Sequence, residues 1–394
     1  MTGTEPLPCF LWGFRLTLLS SPLSAAQARP VRRRDFVLEP FRQSDDRIAA
    51  WQLINTVGPI ALLWGCVALL GSPAAGLQLL LLPVLALLVL FSARSFALMH
   101  DCGHNSLFRT SRLNQLAGFL LGCLNGIPQH PWSRGHAFHH KHNGNWERYR
   151  GPSALLTRRA FLDLTPRQRW LYGFSRHPLM LLPGGCYYLL VRPRLQLLLG
   201  TAEWLGAMGA HVSRNGLRGL AELPAQTRHF RSSHWYTAGE CRDLVANNAV
   251  VLTSWWLMGA WLGAGLFWAC YLTVMTLSAA IFLCIFFVQH NYEGSYASGT
   301  EGWSYLKGAL EGSSNLEMPE ILNWFSCDIA FHSIHHLCER IPNYRLRACH
   351  AANAPLLAAC HRLRISEFPS CFRYILWDDQ ALRLISLEQA LTQP

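Results

Sequence analysis

Eight of the chain's seventeen histidines fall in three short clusters, and imidazoles at such spacings are equipped to hold transition metals. The first cluster is His100-Asp101-Cys102-Gly103-His104, the second His136-Ala137-Phe138-His139-His140 and the third His332-Ser333-Ile334-His335-His336. On a helix, residues i, i+3 and i+4 share one side, so each cluster can aim two or three rings at one region. Eight ligands exceed the demand of one ion, which points to two metals, and one further histidine on the same surface would fit. His290, where an apolar run ends in Phe287-Val288-Gln289-His290-Asn291, is that candidate. A metal-bound imidazole needs its other ring nitrogen held, commonly by a carboxylate. Asp328, one turn before His332, and Asp101, inside the first cluster, are the candidates. Asp101 is the weaker of the two, because a neighbour at i+1 points elsewhere on a helix.

Two zinc chemistries fail on their parts. No cluster carries the His-Glu-x-x-His arrangement that supplies a glutamate base, and the Pro-Cys-x-x-Cys partner of the deaminases is missing. A metal transporter or metal-binding membrane protein stays open, although such proteins place polar ligands inside their spans and this chain keeps its histidines outside them.

The elements that must position the clusters follow from the placement of charge. Arg47 is followed by no charged side chain until Arg94, and Asp243 by none until Glu293. A span needs about 20 apolar residues, so each window holds two crossings. The first splits near Gly71-Ser72-Pro73, giving spans near Trp51–Leu70 and Leu77–Leu98. The second splits around Gly263–Gly265, giving spans near Val245–Leu262 and Phe267–Gln289. The expected fold is an all-α integral membrane protein with four transmembrane helices and a helical cytoplasmic cap holding the metal centre. Residues 1–47 form an N-terminal cytoplasmic arm, 48–350 the membrane and catalytic domain and 351–394 a C-terminal cytoplasmic tail.

Within that frame, Leu113–Ile127 is too short to cross and reads as a re-entrant or interfacial helix. Pro178–Val191 and Leu195–Ala210 read as membrane-surface helices, and Arg214–Asp243 as a polar connector. Leu7–Ala26 lacks a basic leader and precedes Arg32-Arg33-Arg34, so it reads as an interfacial arm and not a cleaved signal peptide. Arginine and lysine gather in the N-terminal arm and the large polar segments, which puts both termini and the histidines in the cytoplasm. The net charge of +11 suits anionic headgroups or an acidic partner, and no nucleic-acid module is present. The thirteen cysteines are scattered through spans and cytoplasmic segments, so free thiols are expected.

These clusters, in this order around paired spans, resemble the membrane fatty acid desaturase family. Further likeness lies in Val288-Gln289-His290, Leu310-Glu311-Gly312-Ser313-Ser314, Trp324-Phe325 and Ile341-Pro342-Asn343-Tyr344. The runs are most similar to the bacterial acyl-lipid branch, with Ala137 and Phe138 where the family often carries a charged or bulky residue. The resemblance implies two non-haem iron ions held by His100, His104, His136, His139, His140, His290, His332, His335 and His336, with O2 as co-substrate and a membrane-lipid acyl chain as substrate.

An unactivated methylene has no acidic proton to remove, so a redox metal with oxygen must abstract hydrogen. The chain carries no dinucleotide fingerprint, haem-attachment motif or iron–sulfur cysteine cluster, so electrons must come from an external donor, a ferredoxin-like acidic carrier suiting the arginine surplus. An apolar tunnel between spans and cap is expected to hold the chain. Trp132, Phe138 and Trp324 lie near the clusters, core packing being equally open for each. Hydroxylation on the same scaffold is the alternative outcome.

Overall fold

The charge-poor windows fold as helices, which satisfy every backbone group without water. The computed structural model describes residues 31–71, 76–149 and 154–392. The expectations for Leu7–Ala26 and for a turn at Ser72-Pro73 fall outside these residues. Helix α1 (Asp46–Leu70) starts where the Asp45 carboxylate accepts the backbone N–H of Arg47 at 2.9 Å. Helix α2 (Leu81–Gly103) runs back beside it and carries the first histidine cluster at its end. Helices α3 (Ser111–Leu124) and α4 (Gln129–His142) then pack against α2, α4 bearing the second cluster.

Beyond α4 come strand β1 (Leu156–Thr157) and helices α5 (Arg158–Leu162), α6 (Pro166–Ser175), α7 (Leu181–Cys186) and α8 (Arg192–His229). Helix α9 (Ala238–Leu262) meets α10 (Ala264–His290) at Gly263, whose φ of 82° suits a residue without a side chain. Segment Pro178–Val191 is not a membrane-surface helix. At Gly185 an added Cβ would lie 2.7 Å from that of Ala279, which is eleven residues from the end of α10, so the segment reaches mid-helix, about 16 Å along it. Helix α8 extends through about half of the expected connector, to His229, with non-helical backbone at Gly216, φ 56°.

Among the described residues, three helices are long and apolar enough to cross a membrane: Asp46–Leu70, Gln78–Gly103 and Ala264–His290. Helix α9 has the length but is less apolar, because Asn247 and Asn248 lie within it. Both are buried, Asn247 donating to the Ile127 carbonyl at 3.0 Å and Asn248 to that of Leu244 at 2.8 Å.

The rest of the chain forms the cap: α11 (Tyr305–Leu310), β2 (Asn315–Glu317), α12 (Glu320–Phe325), α13 (His332–Leu337), α14 (Asn343–Ala352), β3 (Arg362–Arg364), β4 (Tyr374–Asp378) and β5 (Arg383–Ser386). The fold is therefore mostly, not wholly, helical. Strand β4 pairs parallel with β1, Leu156 opposite Leu376, and antiparallel with β5, while β2 pairs parallel with β3. Residues of the expected C-terminal cytoplasmic tail complete two small sheets, and Ile375 and Trp377 are buried among Trp146, Leu155 and Ala297. All twelve described cysteines are free thiols.

Candidate metal centre

The ends of α2 and α10, the C-terminal half of α4 and the short α13 bring nine imidazoles into one region. His100, His104, His136, His140 and His335 form one group able to hold a metal ion, and His139, His290 and His336 a second. His332 joins the second group, its Nε2 lying 3.0 Å from that of His290 and 3.1 Å from that of His336. In the larger group the Nε2 of His140 is 3.0 Å from that of His136 and 3.1 Å from that of His335.

These separations test whether metals fit. Two nitrogens about 2.1 Å from one ion and at right angles are about 3.0 Å apart, whereas a tetrahedral pair is about 3.4 Å apart. Five of the six Nε2 separations, at 3.0–3.1 Å, match the right-angled arrangement of a higher-coordinate transition metal, while that of His100 and His104, at 3.3 Å, is nearer the tetrahedral value.

The outer nitrogens fix the tautomers. His290 donates from Nδ1 to the Gly312 carbonyl at 2.9 Å, and His100 donates from Nδ1 to Asp101 Oδ1 at 3.1 Å. Their Nε2 lone pairs are then bare and face the neighbouring rings. Burial first, and the neighbouring imidazoles after it, hold His104, His136, His139, His140, His332, His335 and His336 well below the usual histidine range. Uncharged rings with converging lone pairs are what a cation requires, and the residues present fit a pair of transition-metal ions.

The two carboxylate candidates exchange places. Asp101 is buried, and besides holding His100 it accepts from the backbone N–H and side-chain Nδ2 of Asn343, both at 2.8 Å. The i+1 objection considered only Cβ directions; Nδ1 is the ring nitrogen nearer the main chain, within reach of the next side chain. Asp328 does not approach the rings and instead pairs with Arg347 at 3.1 Å. Cys327 and Asp328 have φ of 54° and 52°, so no helix runs from Asp328 to His332 and their helical spacing is void.

Reading the sequence missed Glu339, whose Oε2 lies 3.6 Å from Nδ1 of His104 and 3.8 Å from Nδ1 of His140. A carboxylate three residues past the third cluster was the available signal. Also missed were Gly312 and Asn343, although both sit in runs that carry the family likeness. Asn143 anchors the Gly312 loop by donating to the carbonyls of Gly308 at 2.7 Å and Gly312 at 3.1 Å.

A cavity of about 710 Å³ lies between α2 and α10 and is closed on the cap side by residues 318–329. Its wall on α2 runs from Ala86 to Asp101, about 22 Å, and includes His100. Ala93, Ala97 and Ala280 leave its width, while Phe96 stacks on Phe282 with ring centroids 3.7 Å apart. None of Trp132, Phe138 and Trp324 lines it. Trp132 stacks on His136 at 4.9 Å, Phe138 packs on His142, and Trp324 lies under the Arg94 guanidinium at 3.8 Å. Arg94 is fully buried in α2, donating from Nε to Thr56 at 3.0 Å and from Nη1 to the Trp324 carbonyl.

Known proteins resemble this chain over most of its length. The family model described as fatty acid desaturase matches residues 77–369. A fatty acid desaturase of Bacillus subtilis (strain 168) is 29% identical over 353 residues, which is 88% of this chain and 88% of that protein. The chloroplastic omega-3 fatty acid desaturase of Glycine max is 27% identical over 283 residues, 68% of this chain and 52% of its own. The endoplasmic reticulum omega-3 fatty acid desaturase of Nicotiana tabacum is 29% identical over 275 residues, 68% of this chain and 63% of its own.

Proposed function

The chain belongs to the fatty acid desaturase family, and from that premise we propose an oxygen-dependent enzyme with two irons that places a double bond in a membrane-lipid acyl chain. The observation that carries this reading is the apolar cavity with His100 in its wall, so that an alkyl chain held there lies beside the larger histidine group. Bound iron would supply the oxidising power to abstract hydrogen from two adjacent methylenes, with O2 as the oxidant. His100, His104, His136, His140 and His335 would hold one ion, and His139, His290, His332 and His336 the other.

This chain's own residues do the rest. Phe96 and Phe282 close the cavity against water, and the alanines beside them leave room for methylenes. Asp101 keeps the His100 ring proton on Nδ1, and Gly312 does the same for His290. The rigid ends of α2 and α10 set the distance between cavity and imidazoles, and hence which carbons are reached.

Helix α9, antiparallel to α10, serves as a fourth span, the side-chain N–H groups of Asn247 and Asn248 donating to carbonyls inside the protein. The arginine distribution supports a cytoplasmic position for the histidines and both termini, and the likeness to a bacterial desaturase supports a bacterial inner membrane. Residues 48–350 act as the membrane and catalytic domain. Electrons arrive from an external carrier of ferredoxin type drawn by the basic face.

The test is fatty acid profiling of a host expressing the chain beside a His335→Ala, His336→Ala control. A new monoene absent from the control is expected. Products heavier by one oxygen would establish hydroxylation, and an unchanged profile with metal-loaded protein and a competent donor would sink the reading.

A further inference from the structure

A second cavity, also about 710 Å³ and strongly polar, opens on the surface and is lined by Glu39, Arg42, Gln43, Ser44, Asn105, Arg109 and Arg340. Its level in the membrane follows from the helices beside it. Glu39 to Ser44 immediately precede α1, and Asn105 and Arg109 immediately follow α2. Both helices are long and apolar enough to span, so the basin lies at the ends of a span pair, where hydrocarbon gives way to headgroups. Trp51, 62% exposed in the second turn of α1, stands where interfacial tryptophans gather, and α3 leaves Leu116 and Leu120 exposed.

The basin's charge is positive and largely unspent. Three arginines face one glutamate, Glu39, which pairs with Arg42 at 2.5 Å, leaving a net charge of two. Arg42 Nε is buried without a partner. Arg109 is held in place by donating from Nε to the Ser44 carbonyl at 3.0 Å and from its backbone N–H to Asp46 at 2.8 Å, which leaves its two terminal nitrogens for a ligand. Arg340 is exposed and makes no side-chain hydrogen bond or ion pair among the described residues. Guanidinium forks converging at headgroup depth match phosphate oxygens, and basic pockets at the ends of membrane helices take anionic headgroups.

We propose that this basin binds the phosphate of an anionic phospholipid, at a site separate from the apolar cavity and independent of whether that cavity desaturates lipid. The chain would then hold one anionic lipid next to its metal centre, Asn105 following His104 and Arg340 following Glu339.

The test uses the full-length protein in nanodiscs of phosphatidylcholine with a minority of phosphatidylglycerol, with retained lipid counted by native mass spectrometry. Wild type should retain phosphatidylglycerol in preference to phosphatidylcholine. At about 1 kcal/mol per arginine near a membrane surface, Arg340→Gln should weaken that preference about fivefold and Arg109→Gln with Arg340→Gln about thirtyfold. Arg109→Lys with Arg340→Lys, and Arg228→Gln with Arg231→Gln on the distant α8 side, should keep most of it. If the double glutamine variant does not fold, Arg340→Gln alone decides, since its side chain holds nothing in place. Equal phosphatidylglycerol retention by wild type and the glutamine variants would overturn the proposal. So would full displacement by millimolar inorganic phosphate, which would mark a site for free phosphate instead of lipid.

Discussion

The two histidine groups use the same donor but differ in what stands behind it. In the larger group, Asp101 holds His100 and the Glu339 carboxylate lies beside His104 and His140. In the smaller group, the one outer nitrogen with a hydrogen-bond partner, that of His290, meets a neutral carbonyl, Gly312. Negative charge behind an imidazole raises its basicity and strengthens its hold on a metal. Two positions a few ångströms apart are thereby made unequal without changing a single ligand type.

Removing a ligand is the strongest way to break this comparison. His335→Ala should empty the larger group and His290→Ala the smaller, each lowering bound iron by about one ion per chain and activity by more than about 100-fold, as loss of a ligand should exceed the 10–100-fold cost of losing its outer partner. Metal analysis of the two purified variants checks it, and if either single change emptied both groups they would be one cooperative site. Acid should act on both groups alike. The rings of His104, His139 and His335 titrate low in the folded chain, so on acidification the unfolded state takes up protons first. The metal-free protein should hold its stability above about pH 6.5 and lose it progressively below, read as the midpoint of thermal melts against pH.

Charge behind the rings is the next test. Asp101→Asn should weaken metal binding 10–100-fold in the larger group alone, measured by competition with a chelator. Arg94→Met lies outside both groups but strips partners from Thr56 and the Trp324 carbonyl, so it should cost about 2 kcal/mol in stability while metal content stays near wild type. The smallest effect belongs to Glu339→Gln, since that side chain is 41% exposed and its contacts exceed hydrogen-bond length. Less than about a tenfold loss of affinity, confined to the larger group, is expected. A loss as large as that of Asp101→Asn would mean that solvent does not screen this carboxylate.

Much of the frame was legible because the membrane imposes it. Long charge-free windows suit helices in a bilayer, and Asp46–Leu70, Gln78–Gly103 and Ala264–His290 overlap them, Gln78–Gly103 running on past Arg94 to the first histidine cluster. The fourth helix was legible as a helix, while Asn247 and Asn248 made its apolarity fall short. The short strands were not legible, since two to five residues carry little pattern and β1 meets β4 across more than two hundred positions. The carboxylate choice failed at Asp328, where an assumed helical turn is two left-handed residues.

The sequence by itself determined that nine imidazoles could gather at the ends of apolar helices, because residue type and periodicity are local properties. Only the tertiary structure decided how they divide. In the second and third clusters, i and i+4 enter one group while i+3 enters the other: His136 and His140 against His139, His332 and His336 against His335. On a helix i+3 and i+4 lie about 100° apart, so the rings straddle a line along its side. Which rings share a metal position depends on which neighbouring helix end each side of that line meets, and that is set by packing.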